Sequence, residues 1–186
     1  EVSILDNEAM KSEKLIINEN CIKKFNPVVN KINEILKSET SPILIGIDGM
    51  CASGKTTLGY YLKNEFDCNL FHMDDFFLGE HQRTQIRLNE IGGNVDYERF
   101  KMEVMTPILN GQNIIYRPYR CDIGKIQSGT EITYKRLNII EGSYSQHPYF
   151  GELYHARFFM EISEKEQINR VQMRNGDEML LKFRAE

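Results

Sequence analysis

Gly49, Gly54, Lys55 and Thr56 stand at the spacing G-x-x-x-x-G-K-[ST], which suits the binding of phosphate. Glycines let the backbone turn sharply and bring N–H groups close to phosphate oxygens with no Cβ in the way. The cradle would be the backbone of Gly49, Met50, Cys51, Ala52, Ser53, Gly54, Lys55, Thr56 and Thr57. A helix starting at its end would add partial positive charge. Lys55 would reach the β- and γ-phosphates and the Thr56 hydroxyl would bind Mg²⁺, so ATP and Mg²⁺ are the expected cofactors.

Phosphoryl transfer also needs an acceptor oxygen that is positioned and deprotonated. Asp74 and Asp75 are the best candidates. In an extended segment they would point in opposite directions, one to the acceptor and the other to the metal or a structural partner. Glu141 ends the apolar run Leu137–Ile140 and is a second candidate metal ligand. Asp96 reads equally well as a functional acid or as a helix N-cap. Tyr116, Arg117, Tyr119 and Arg120 could stack on or hydrogen-bond an acceptor, and Arg120 could equally pair with a surface acid. Arg170 and Arg174 lie four apart on one predicted helix face, followed by Asn175-Gly176, and suit a lid that closes on phosphates. The histidines show no ligand spacing.

The elements that must position these groups follow from periodicity. The apolar run Ile43–Ile47 predicts a strand and Lys55 to about Glu65 a helix, with the glycine-rich loop between them. A helix is predicted from about Pro27 to Lys37, since proline suits a first helical turn. Cys68–Met73 predicts a short strand, and residues 79–95 a long polar loop. Tyr97–Leu109 predicts a helix, Asn113–Tyr119 and Glu131–Tyr134 two strands, Leu137–Ile140 a buried strand, Ala156–Ile162 another, and Lys165–Asn175 a helix. Strands alternating with helices imply a parallel sheet covered on both faces, with ligands at the carboxyl ends of its strands. The loop, Asp74-Asp75 and Glu141-Gly142 all follow predicted strands.

With 186 residues and 41% hydrophobic content the chain suits one globular domain. A polar segment and helix over 1–40 would pack on a core domain over 41–186, with the lid near 165–178. The net charge of −4 argues against nucleic acid as the main partner. No apolar stretch approaches ~18 residues, so no membrane span is expected. Cys21, Cys51, Cys68 and Cys121 form no C-x-x-C pair and read as reduced thiols, and no signal peptide is visible; a cytoplasmic setting is the expectation.

Several segments together resemble the uridine kinase and phosphoribulokinase-like branch of P-loop kinases, which includes nicotinamide riboside and bacterial pantothenate kinases. They are Gly46-Ile47-Asp48-Gly49 through Thr57, His72-Met73-Asp74-Asp75-Phe76-Phe77, Asp96-Tyr97-Glu98-Arg99-Phe100 and Glu141-Gly142-Ser143-Tyr144. The resemblance covers roughly residues 40 to 180. It implies a three-layer α/β fold of the P-loop NTPase type, with a mainly parallel sheet flanked by helices and a small lid. It further implies that Asp74 is the general base, that Asp96 binds ribose hydroxyls and that Tyr116 lines a nucleoside pocket. Arg170 and Arg174 would belong to the lid, and Thr56 and Glu141 to the magnesium site. Two features depart from the family. The segment Arg117-Pro118-Tyr119-Arg120-Cys121-Asp122 lacks the base-reading pattern of uridine kinases, and Glu186 follows the lid closely, short of the usual closing strand and helix.

The expected activity is ATP-dependent phosphorylation of a small-molecule hydroxyl, foremost the 5′-hydroxyl of a nucleoside such as uridine. The alternatives are another metabolite hydroxyl (nicotinamide riboside, pantothenate or a sugar phosphate) or a nucleotide-binding switch or ATPase. The expected partners are ATP and the acceptor, with self-association into a homo-oligomer left open.

Overall fold

The computed structural model describes residues 19–173. Helix α1 spans Glu19–Ser38 and carries Pro27 inside it, so it begins earlier than expected. The apolar positions explain this. Phe25, Val28, Ile32 and Ile35 are all buried and run across the proline on one helical face. Phe25 also packs on Tyr61, with ring centroids 5.4 Å apart. That burial outweighs the one backbone hydrogen bond that Pro27 cannot donate.

Strand β1 (Ile43–Gly49) leads through the glycine-rich loop into helix α2 (Lys55–Glu65), and β2 (Cys68–His72) follows. A single 3₁₀ turn, Met73–Asp75, caps β2. Residues 79–95 are more ordered than a bare loop. They hold a 3₁₀ turn at Glu80–Gln82 and the one-turn helix α3 (Gln85–Leu88), whose Arg87 N–H donates to the Thr84 hydroxyl. Arg87 fastens this segment: its guanidinium lies 3.8 Å above the Tyr97 ring, pairs with Glu98 at 2.6 Å and donates to the Val95 carbonyl.

Helix α4 follows as Tyr97–Phe100, a π segment Lys101–Met105 and Thr106–Leu109. The π segment fits Pro107, which has no N–H to give to the preceding turn, while Thr106 N–H reaches back to Lys101.

An arm of short strands comes next: β3 (Ile114–Tyr116), β4 (Tyr119–Arg120), β5 (Lys125–Ile126) and β6 (Thr130–Ile132). β3 pairs with β6 and β4 with β5, both antiparallel. The single strand expected over Asn113–Tyr119 is therefore broken at Arg117-Pro118, where proline cannot donate to a ladder. The strand expected at Glu131–Tyr134 lies at Thr130–Ile132 instead. Strands β7 (Leu137–Glu141) and β8 (Ala156–Met160) complete the main sheet, and helix α5 occupies residues 164–173.

The main sheet has the order β2-β7-β1-β8 and all its pairs are parallel. Alternation along the strands separates two cores. Ile43, Ile45, Ile47, Leu137 and Ile139 pack with α1 and with Leu58 and Leu62 of α2. Leu44, Phe71 and Ile140 pack on the other face with Phe100, Val104 and Ile108 of α4. Helices thus cover both faces, as the sequence pattern predicts, and the carboxyl ends of β1, β2 and β7 meet at one edge.

Candidate active site

The loop after β1 takes backbone shapes that its sequence permits. Gly49 has φ 148°, and a Cβ placed there would lie 2.3 Å from the Met160 carbonyl oxygen of β8. Ala52 and Gly54 also have positive φ, at 58° and 98°. Gly54 is the N-cap of α2 and offers no side-chain cap, which leaves the first helical amides to an anion. Buried Lys55 folds back over the loop and donates to the Gly49 and Met50 carbonyls, each at 2.9 Å. This places its ammonium against the backbone of the glycine-rich loop.

Thr56 ties the loop to the end of β7. Its hydroxyl donates to the Glu141 carboxylate at 3.2 and 3.3 Å. Glu141 is buried, and its Oε1 also lies 2.5 Å from His72 Nδ1. Burial alone would lower the His72 pKa, but the hydrogen bond and charge of Glu141, with Asp75 and Asp74 behind it, leave it raised.

Asp74 and Asp75 have different surroundings, but they lie in a 3₁₀ turn and not in the extended segment expected. Asp75 accepts a hydrogen bond from the Tyr116 hydroxyl at 2.7 Å. Burial and the Asp75 charge push the Tyr116 hydroxyl well above its ordinary value. Asp74 instead lines a cleft of about 580 Å³ together with Asp48, Gly49, Phe77, Asn94 and Tyr144. Water reaches its side chain, yet enough protein surrounds it that desolvation raises its pKa. Glu141 and Asp75 raise it further, against Lys55 and His72.

Oxygen ligands of this kind fit Mg²⁺, which takes one or two protein oxygens together with water and substrate phosphates. Thr56 and Glu141 offer a hydroxyl and a carboxylate beside the cradle. Among the described residues no three His, Cys, Asp or Glu side chains form a metal cage of their own. The loop, with positive φ at Gly49, Ala52 and Gly54 and with the first amides of α2 free of a side-chain cap, fits a polyphosphate.

Other expected residues lie differently. The Asp96 carboxylate caps α4 by accepting from Arg99 N–H at 3.1 Å, and it faces Arg99 Nε and Gln82 Nε2 at 3.4 Å each. It is buried, so the N-cap reading describes its present contacts. Tyr119 is buried in a separate cavity of about 590 Å³, with His81, Gln82 and Lys125. Arg120 forms a two-pronged pair with Asp122 at 2.8 and 2.7 Å. Arg170 is close to the loop: its Nη1 donates to the Ala52 carbonyl at 3.2 Å, and its other nitrogen pairs with Glu166. Arg174 and Asn175-Gly176 lie outside the described residues.

Three site residues escaped the sequence reading. His72 is one. Asp48 is another: its carboxylate accepts from the backbone N–H of Gly49, Tyr144 and Gln146, at 2.7, 3.2 and 3.1 Å. This locks the phosphate loop to the turn after β7 and holds Tyr144 at φ 63° on the cleft wall. The third is Gln167, which reaches the loop from α5. For His72 a signal existed, since it ends β2 directly beside Glu141 in register.

No family model matches the sequence, and no curated protein matches it. Solved structures do. A protein named as a possible uridine kinase from Bacillus stearothermophilus superimposes with a TM-score of 0.58 over 84% of this chain and 92% of its own, at 17% identity. A protein provisionally named a fructose transport system kinase, from a Silicibacter species, does so with a TM-score of 0.67 over 85% of this chain and 87% of its own, at 18% identity. The chain shares the fold of these two proteins, the three-layer P-loop NTPase type. The likeness at these identities concerns the fold, and the residues described above must carry the chemistry. Among the described residues no helix is long and apolar enough to cross a membrane.

Proposed function

We propose that this chain is an ATP-dependent kinase that phosphorylates a hydroxyl of a small molecule, foremost the 5′-hydroxyl of a nucleoside such as uridine. The observation that carries the proposal is Asp74, a carboxylate with a raised pKa in the same cleft as the phosphate loop. A switch or simple ATPase has no need of a base held there.

Lys55 and the loop amides bind the phosphates and stabilise charge on the transferred group. Thr56 and Glu141 would hold Mg²⁺, which when bound neutralises charge on the phosphate oxygens. Asp74 takes the proton from the acceptor hydroxyl as that oxygen bonds to the γ-phosphorus and the bond to the β-phosphate oxygen breaks, leaving ADP. Asp75 and Tyr116 hold one another and so fix the 3₁₀ turn that aims Asp74. Arg170, beside the loop, is placed to meet phosphate charge. Phe77 and Tyr144 line the same cleft as Asp74, and such aromatic surface suits a flat ring and favours a nucleoside over an aliphatic acceptor. Cys51, Cys68 and Cys121 are free thiols, in keeping with a reducing cytoplasmic setting.

The test is ADP release from Mg·ATP across nucleosides, nicotinamide riboside, pantothenate and simple sugars. Release that depends on one acceptor class and vanishes in Asp74→Ala supports the kinase and names its substrate. Slow release indifferent to every acceptor favours the ATPase instead.

A further inference from the structure

Helix α5 holds the phosphate loop from behind. Gln167 is 5% exposed, an unusual position for a glutamine side chain, and its Nε2 donates to the Cys51 carbonyl at 3.0 Å. One turn further on, Arg170 Nη1 donates to the next carbonyl, that of Ala52, at 3.2 Å. The two contacts differ in kind. Arg170 is exposed and shares its guanidinium with Glu166, whereas Gln167 is buried with its amide on the loop.

A trans peptide is planar, so its C=O and the following N–H point in opposite directions. Holding the Cys51 carbonyl toward α5 therefore turns the Ala52 N–H away from α5, toward the concave side of the loop. It also holds Ala52 at φ 58°, a conformation alanine rarely adopts without outside support. The neighbouring amide is already committed, since Ser53 N–H donates to the Met50 carbonyl at 3.2 Å. The Ala52 N–H is thus the donor whose direction depends on Gln167.

We infer that Gln167 is a positioning residue for the donor phosphates: its amide sets the loop conformation that binds them. The inference rests on the nucleotide-binding reading above. The Gln167 amide fixes the direction of the Cys51 carbonyl, so removing it frees the Cys51–Ala52 peptide to rotate.

The experiment compares wild type with Gln167→Met, which keeps the length and apolar packing, and Gln167→Glu, which keeps the shape but replaces the donor with an acceptor. Mg·ATP binding is titrated alongside the melting temperature of the nucleotide-free protein. The expected result is a dissociation constant about five- to tenfold higher in Gln167→Met, and at least as high in Gln167→Glu, as suits one lost hydrogen bond. The nucleotide-free melting temperature stays close to that of wild type, and in turnover the KM for ATP rises further than kcat falls. If Gln167→Met binds Mg·ATP as wild type does, or weakens only in step with a lowered melting temperature, the residue merely packs and the inference is overturned. A wild-type protein that binds no nucleotide would overturn both this inference and the reading beneath it.

Discussion

His72 Nδ1 lies 2.5 Å from Glu141 Oε1, joining the last residues of two neighbouring parallel strands. Glu141 in turn accepts from Thr56 at the start of α2, so one buried carboxylate connects β2, β7 and the phosphate loop. The connection concentrates negative charge: Asp74 and Asp75 begin two residues beyond His72. Burial first, and then the Glu141 charge, raise the Asp74 pKa. For His72, burial opposes a rise that the Glu141 hydrogen bond and charge bring about, so Glu141 favours the cation and resists the anion.

Replacing Asp74 by Asn should therefore stabilise the protein while removing its activity. Its folded-state pKa is raised above the ordinary 3.8. Such a carboxyl binds its proton more tightly folded than unfolded, so ionising it costs stability. That cost develops as pH rises from about 3.8 through the raised value and is constant above it. Asp74→Asn should melt higher than wild type at pH 7, with the difference closing near pH 3, while turnover falls roughly 10²- to 10⁴-fold. Thermal melts at the two pH values decide it; an unchanged or lower melting temperature at pH 7 would count against the crowding argument.

Lys55→Met separates catalysis from folding in a different way. Lys55 makes two loop hydrogen bonds, so its loss should cost the fold only about 1–3 kcal/mol. Its charge acts mainly on the transferred phosphate, and turnover should fall by at least ~10²-fold. Near-normal turnover in Lys55→Met would contradict the role given to the loop.

Much of this was legible in the sequence, and what was not has a common cause. The run from Ile43 to Thr57 declares strand, loop and helix through apolar patterning, glycine placement and a Lys-Thr pair. Asp74 and Glu141 were legible because each closes a short apolar run, and chain topology brings strand ends together. Asp48 and Gln167 were not. Asp48 binds backbone N–H groups at Tyr144 and Gln146, about a hundred positions away, and Gln167 binds a carbonyl 116 positions away. Contacts to backbone leave no requirement on the partner's side chain, so no residue type marks them. Pro27 misled for another reason: a local breaker was outweighed by long-range burial of Phe25, Val28 and Ile32.

The two loop glycines should differ sharply in what they tolerate. At Gly49 an added Cβ meets β8 backbone, with the Met160 oxygen at 2.3 Å and nitrogen at 2.7 Å. At Gly54 the nearest atoms are the Met160 side-chain methyl at 3.8 Å and Arg170 Nη1 at 3.9 Å, so only the φ of 98° opposes a side chain. Gly49→Ala should cost roughly 4 kcal/mol or more, or prevent folding, because strand pairing must shift. Gly54→Ala should cost about 1–3 kcal/mol and leave a folded protein that binds nucleotide weakly. Urea denaturation ranks the two, and equal costs would show that backbone strain rather than the β8 contact governs this loop.

Asp96 poses the sharpest conflict between resemblance and geometry. The family likeness implies contact with ribose hydroxyls, but here the carboxylate faces Arg99, itself buried, with its guanidinium 4.1 Å above the Phe76 ring. Arg99 also donates to the Arg117 carbonyl at 2.7 Å, so it fastens α4 to the strand arm. Removing Asp96 would take from buried Arg99 one of its two carboxylate partners, leaving Glu103 at 3.4 Å, and would leave α4 without a cap. Asp96→Ala should then destabilise by about 2–4 kcal/mol, for a lost cap and a lost contact to a charged group. Asp96→Asn, which still caps a helix but carries no charge, should fall between Ala and wild type. Chemical denaturation of the acceptor-free protein tests this directly. Should both variants melt like wild type and only the KM for the acceptor rise, Asp96 serves the ligand and its bond to Arg99 gives way when the acceptor binds.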